Sequence, residues 1–305
     1  MNAKSKVWAL TAILIIIIVS AAVIYFLSPT PPATSGKMQV VTSFFPMYDF
    51  SRNVGGDKVE VSLLAPVGVE VHDWEPKTDD IQKVLSAEVF VYNGLGLEPW
   101  IDALKEAASS SQVVFVETSE GLDVEFLTYA EGGTDPHIWL DPVIAKHQVE
   151  KILEGFKQAD PENADYYESN AKQYQAKLDE LDAEIRGTLT AYTKKEFITF
   201  HEAFSYFAKR YGLTQIYLLP RGQEEPSPSD VVTVIETAKA KNITVIYAEP
   251  LSDPVLAVEV ALQILNGRVL VLDPAEEVPL SEIEAGKDYL SIMRQNVSNL
   301  EEGLK

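Results

Sequence analysis

The sequence predicts an α/β protein of two lobes, each a four-stranded mainly parallel sheet with flanking helices, joined by one long rigid helix. Three observations lead there. Short β-branched runs alternate with stretches of helical periodicity, the pattern of strand–helix–strand units that build parallel sheets. The runs fall into two sets of four, and a single long amphipathic stretch separates the sets. At 305 residues the chain exceeds the usual length of one domain, so two cores are the expectation.

The N-terminus comes first. Lys4 and Lys6 precede an unbroken apolar run from Val7 to Leu27. At ~1.5 Å per residue this run spans a hydrocarbon core of ~30 Å. Lysines before the run and an acidic body after it put the N-terminus in the cytoplasm and the body outside. Residues 1–27 are therefore expected to be a single-pass anchor in the cell membrane. A cleaved signal peptide is the rival, but its apolar region would be shorter, and a clear small-x-small cleavage site is missing. Residues 28–37, rich in Pro, Ser and Thr, cannot pack and read as a stalk.

The first lobe is expected over 38–159, with strands at Gln39 to Phe44, Val59 to Leu64, Val89 to Tyr92 and Val113 to Glu117. The connecting helix follows over 160–193, with Asp160 as N-cap and Pro161 at the first helical position. Within it Tyr167, Ala171, Tyr174, Leu178, Leu181, Ile185 and Leu189 recur at spacings of three and four, one apolar stripe on a charged helix. The stripe lacks the repeated Leu pattern of a coiled coil, which favours a rod packed across two lobes in a monomer. The second lobe is expected over 194–305, with strands at Phe197 to Phe200, Gln215 to Leu219, Thr244 to Tyr247 and Arg268 to Leu272.

Composition excludes several functions. The net charge is -21 and no run of Lys and Arg occurs outside the extreme N-terminus, so nucleic acid is not an expected partner. With no cysteine in the chain, disulfides, thiolate metal sites, thiol catalysis and lipid attachment through cysteine are all ruled out. There is no phosphate-binding G-x-x-x-x-G-K-[ST] loop, so energy for any transport must come from another subunit.

Only four histidines occur. His72 follows the second strand, His137 precedes the helix that begins near Asp141, and His201 directly follows a strand; His147 alone lies inside a helix. In open α/β sheets ligands gather outside the carboxyl ends of the strands. Asp273, directly after the last strand, would share that edge in the second lobe. His72 and His137 from one lobe, with His201 and Asp273 from the other, make a chemically sensible closed zinc site, since imidazole and carboxylate suit zinc and four ligands complete a tetrahedron. Taken singly, each of the four is as well explained as a surface group or a turn residue. Glu75, Glu202 and Glu249 are candidates for orienting the histidines, against capping or surface pairing. Trp74 and Trp139 flank two ligands and could shield a metal or simply pack.

Several segments resemble motifs of the metal-binding solute-binding proteins of ABC importers, the zinc and manganese family that includes periplasmic zinc-uptake proteins. They are Val71-His72-Asp73-Trp74-Glu75-Pro76, Asn93-Gly94-Leu95-Gly96-Leu97-Glu98, Asp135-Pro136-His137-Ile138-Trp139-Leu140-Asp141-Pro142, Phe200-His201-Glu202-Ala203-Phe204-Ser205-Tyr206-Phe207 and Glu225-Pro226-Ser227-Pro228. The similarity runs from about Met38 to near the C-terminus. It implies two lobes on one long helix with metal in the cleft between them, and ligand roles for His72, His137 and His201, with Asp273 the fourth. It also implies a histidine at position 201 for zinc, where a carboxylate accompanies manganese. The chain departs from many zinc-specific members in having no histidine between Glu117 and Thr134, so a metal-collecting loop is not expected.

The resulting expectation is an extracytoplasmic protein, not an enzyme, that captures Zn2+ as a transported ligand, Mn2+ less readily, and delivers it to an ABC permease with a cytoplasmic ATPase. Because zinc needs neutral imidazole, affinity should fall as pH drops through ~6.5. The alternatives are a zinc hydrolase, if Asp273 leaves a coordination position open and Glu202 serves as base, and a manganese-binding or adhesin-type member of the same family.

Overall fold

The computed structural model describes residues 36–305 apart from 67–68, 70, 130–131, 220–225, 251–253 and 265. The expected anchor over 1–27, and all but the last two residues of the expected stalk, lie outside the described residues. No helix among the described residues is long and apolar enough to cross a membrane.

Among the described residues the eight strands are β1 Met38–Thr42, β2 Val59–Leu63, β3 Val89–Tyr92, β4 Val114–Glu117, β5 Glu196–His201, β6 Thr214–Leu219, β7 Val245–Ala248 and β8 Arg268–Val271. The helices are α1 Phe45–Gly55, α2 Thr78–Leu85, α3 Ile101–Ala107, α4 Pro142–Ala159, α5 Ala164–Leu189, α6 Ser205–Tyr211, α7 Pro228–Lys241, α8 Pro254–Leu262, α9 Leu280–Glu284 and α10 Tyr289–Leu304. The first strand ends at Thr42 rather than Phe44, because Phe44 is the N-cap of α1 and Pro46 occupies that helix's first turn.

Both sheets are wholly parallel, with orders β2-β1-β3-β4 and β6-β5-β7-β8. In each, the order reverses beside the first strand of the set, leaving the crevice where doubly wound sheets bind ligands. Side chains alternate by strand period. Val40, Val89 and Val91 enter a large apolar cluster shared with α5, whereas Val41, Phe90 and Tyr92 enter a cluster on the opposite face. In the second sheet Phe197, Val245 and Tyr247 join the shared cluster while Ile198, Ile246 and Ala248 face the other way. One face of each sheet is thus committed to a common core, and Met38 to Lys305 form one compact unit.

The long helix supplies the middle of that core. All seven residues of the predicted stripe, from Tyr167 to Leu189, are buried. Its start differs from expectation. Pro161–Asn163 form a 3-10 turn before the α-helix. The Asp160 carboxylate accepts from the Tyr167 hydroxyl at 2.6 Å and from the Asn163 amide at 2.8 Å, so it braces this turn from the side. Leu181 is fully buried in the shared cluster. Leu181→Ala is expected to cost about 2–5 kcal/mol in urea unfolding, from lost burial plus the cavity; a cost under about 1 kcal/mol would mean the helix is not packed as described.

Contacts between the sheet-bearing halves continue beyond the helix. Phe45 packs with Ala275, Val278, Ile283 and Ile292. The Tyr206 hydroxyl donates to the Asp135 carbonyl at 3.0 Å and accepts from Leu127 N–H at 3.0 Å. Arg210 pairs with the nearly buried Asp141 at 2.7 Å, and Asp141 also caps α4 by accepting from Val143 N–H at 2.9 Å.

Candidate metal centre

Every site residue lies at or beyond the carboxyl end of a strand, so topology converts four distant sequence positions into neighbours. His72 lies in the loop after β2, between two anchors: Val71 enters the shared core and Trp74 enters the cluster on the other face of the first sheet. His137 lies in the loop after β4. There the Asp135 Oδ1 atom accepts from the His137 backbone N–H at 3.0 Å, and the Asn93 amide donates to the Pro136 carbonyl at 3.0 Å. His201 is the last residue of β5, and its carbonyl accepts from Thr199 Oγ1 at 2.9 Å and Gln215 Nε2 at 3.0 Å.

The three predicted histidines converge. His137 Nε2 is 3.2 Å from His72 Nε2 and 3.3 Å from His201 Nε2. The fourth member is Glu276, whose Oε1 is 3.1 Å from His137 Nε2 and 3.9 Å from His201 Nε2. One ligand atom from each of the four residues falls within 4.8 Å of all the others. His147 is elsewhere: it lies on α4 and its Nε2 meets the Glu120 carbonyl at 3.0 Å.

Asp273 is not in the cluster. Its backbone N–H donates to Asn296 Oδ1 at 2.8 Å and its carbonyl accepts from Asn296 Nδ2 at 2.7 Å, which ties it to α10. Its carboxylate is turned to Ala275 N–H at 2.8 Å and Lys287 Nζ at 3.1 Å. Ala275 then takes a left-handed backbone conformation, φ 61°, and the turn delivers Glu276 to the histidines. Strand-end reasoning identifies the loop but not which of its carboxylates points inward. The one available signal is that Asp273-Pro274-Ala275-Glu276-Glu277 offers three of them.

Carboxylates stand behind two of the rings. Asp135 Oδ1 is 2.7 Å from His137 Nδ1, with the Tyr129 hydroxyl also 3.2 Å from that nitrogen. Glu249, just after β7, meets His201 Nδ1. A carboxylate on Nδ1 holds the ring in the tautomer whose Nε2 lone pair faces the centre. Glu249 was a candidate for this role; Asp135 was missed, although it lies two residues before His137. Trp139 is fully buried with its ring centroid 5.1 Å from that of His137, whereas Trp74 packs edge-on against Trp100 at 5.5 Å.

Two buried carboxylates flank His137. Burial alone would lower the pKa of His137, but Asp135 and Glu276 beside it outweigh burial and push it up to about 9. Burial would raise Glu276, yet the His137 hydrogen bond and the charges of His137, His201 and His72 bring it down to about 2. His137 Nε2 faces two imidazole nitrogens and one carboxylate oxygen, and a single proton there can serve only one of them. A tetrahedral zinc with bonds of about 2.0–2.1 Å has ligand–ligand edges of about 3.3 Å. The three separations from His137 Nε2 lie close to that edge. Three imidazoles and one carboxylate are also the donor set that zinc accepts.

The family described as "Zinc-uptake complex component A periplasmic" matches residues 40–303. The high-affinity zinc uptake system protein ZnuA of Bacillus subtilis is 38% identical over 281 residues, covering 88% of each chain. The zinc-binding protein AdcA of Streptococcus pyogenes is 33% identical over 289 residues; these are 87% of this chain but only 56% of that longer relative. Among solved structures, the Zn(II)-bound ZnuA-like domain of Streptococcus pneumoniae AdcA is similar with a TM-score of 0.79 at 32% identity, covering 88% of this chain and 99% of that one.

Proposed function

From the premise that the chain belongs to the family of periplasmic zinc-uptake component A proteins, we propose that it captures Zn2+ between its lobes and delivers it to an ABC importer. The observation that carries this reading is the convergence of His72, His137, His201 and Glu276 on one point. These four are the proposed ligands. His72 and His137 belong to the lobe proposed over 38–159, and His201 and Glu276 to the lobe proposed over 194–305.

Sharing ligands between lobes suits a carrier. Capture requires tight binding in one arrangement and release requires weaker binding in another, so the permease must favour a state in which the ligands are separated. A shift of one lobe separates two ligands from the other two. The packed long helix and the contacts around Phe45, Tyr206 and Arg210 support small displacements over wide hinge motion. Four protein ligands would leave no open coordination position for water, which supports a carrier over a hydrolase. The proposed setting is outside the cell membrane, with the apolar run 7–27 as anchor, a permease and its ATPase as partners, and a monomeric carrier.

Metal analysis of the protein purified without added metal should find one zinc per chain. In competition titrations Glu276→Ala is expected to weaken zinc binding by more than about tenfold. Asp273→Ala should lower stability, because Ala275 N–H loses its acceptor and Lys287 keeps only Glu282, with far less effect on affinity. The reverse order of the two variants would give the fourth ligand to Asp273, and a metal-free protein that does not take up zinc would end the proposal.

A further inference from the structure

Trp139 belongs to the half of the chain that carries His137, yet it bonds twice to the other half. Its indole Nε1 donates to the Pro274 carbonyl at 2.8 Å, and its own carbonyl accepts from the Tyr289 hydroxyl at 2.6 Å. Pro274 lies two residues before Glu276, and Trp139 two residues after His137. The indole is fully buried, with Phe44 edge-on at 4.7 Å, so the ring has one packed position and the hydrogen bond is shielded from water. The backbone of the loop after β8 is therefore hydrogen-bonded from both sides. Asn296 fixes Asp273 from the second lobe, and Trp139 fixes Pro274 from the first.

We infer that Trp139 is a positioning residue that sets Glu276 against His137 across the lobe interface, and thereby decides whether zinc meets four protein ligands or three. The inference rests on the zinc-carrier reading above. Its physical content is that the separation of 3.1 Å between His137 Nε2 and Glu276 Oε1 is governed by a hydrogen bond that touches neither side chain. Without the indole N–H, the loop loses its hydrogen bond at Pro274 to the first lobe and keeps there only the apolar packing of Ala275 and Val278 on Phe45, which fixes neither backbone direction nor carbonyl. Trp139 then accounts for a residue of the Asp135 to Pro142 motif that ligation itself does not use.

The test is a double-mutant cycle read by zinc competition and by the absorption spectrum of the Co2+-loaded protein. Trp139→Phe keeps a ring but removes the donor, and is expected to weaken zinc by about 10- to 100-fold, the range for partners behind a metal site. In a Glu276→Ala background the same change should cost much less, because the carboxylate it positions is gone. In a His72→Ala background it should cost its full amount. The Co2+ spectrum of Trp139→Phe should move towards that of Glu276→Ala. If Trp139→Phe does not fold, Trp139→Tyr, which also lacks the indole N–H, carries the same cycle. Equal losses in all backgrounds, or a parental spectrum with parental affinity, would overturn the inference. Failure of the unmodified protein to bind either metal would instead overturn the carrier reading.

Discussion

His137→Ala is expected to reduce zinc affinity by more than about 100-fold, the largest loss of any single substitution in the site. Loss of a group merely hydrogen-bonded to a ligand costs about 10–100-fold, and removing the most buried of the proposed histidine ligands should exceed that. His137 is also the hub: its side chain is 1% exposed, and its Nε2 lies within 3.3 Å of an atom from each of the other three residues. Its removal leaves Asp135 and Glu276 as buried carboxylates without their shared partner, which raises the cost of the metal-free fold as well. His72→Ala and His201→Ala should weaken binding strongly but less, since both rings are only partly buried. His147→Ala should leave affinity unchanged, because that ring meets the Glu120 carbonyl on a different surface. Chelator competition on the four variants decides the matter: parental affinity in His137→Ala, or an equal loss from His147→Ala, would be incompatible with this site.

The second large effect is on pH. In the metal-free protein His137 holds its proton up to about pH 9, above the 6.5 of free imidazole, because Asp135 and Glu276 flank it. Zinc needs that nitrogen's lone pair, so binding at neutral pH must expel the proton. One proton released per zinc lowers affinity about tenfold for each unit of falling pH, or about 100-fold from pH 8 to pH 6. Free-imidazole chemistry alone would begin this decline only near pH 6.5; the buried carboxylates move its onset upward. The stability of the metal-free fold has the opposite sign. The raised pKa contributes stability that is fully present below about 6.5 and lost as pH rises through about 9. Titration calorimetry in buffers of different ionisation enthalpy counts the proton directly. Zinc affinity that stays constant between pH 8 and pH 6 would show that His137 is already neutral before the metal arrives.

How much of this was legible beforehand follows the range of the interactions involved. The eight strands occur within one or two residues of their expected positions, because β-branched runs bounded by helical periodicity report local backbone preference and burial together. The stripe on α5 is complete for the same reason: a spacing of three and four places its residues on one face whatever they pack against. His72, His137 and His201 could be selected over His147 because a strand end is a position in a topology, and the topology was readable.

The fourth member of the site was decided otherwise. Asp273 and Glu276 follow the same strand, both are carboxylates, and nothing in their immediate sequence ranks them. The choice depends on Asn296, 23 residues later, which holds Asp273 outward at its backbone, and on Lys287, which takes its carboxylate. Trp139 donates its indole N–H to the carbonyl of Pro274, 135 residues later in the chain. The strands, the spanning helix and the three histidines of the candidate site were legible in the sequence, since each rests on local periodicity or on strand order. The tertiary structure alone brings Glu276 rather than Asp273 to the histidines and Glu249 to His201, because these contacts join segments far apart in the chain and leave no periodic trace in either; Asp135 stands two residues from His137, and only the fold of the loop turns it onto that ring.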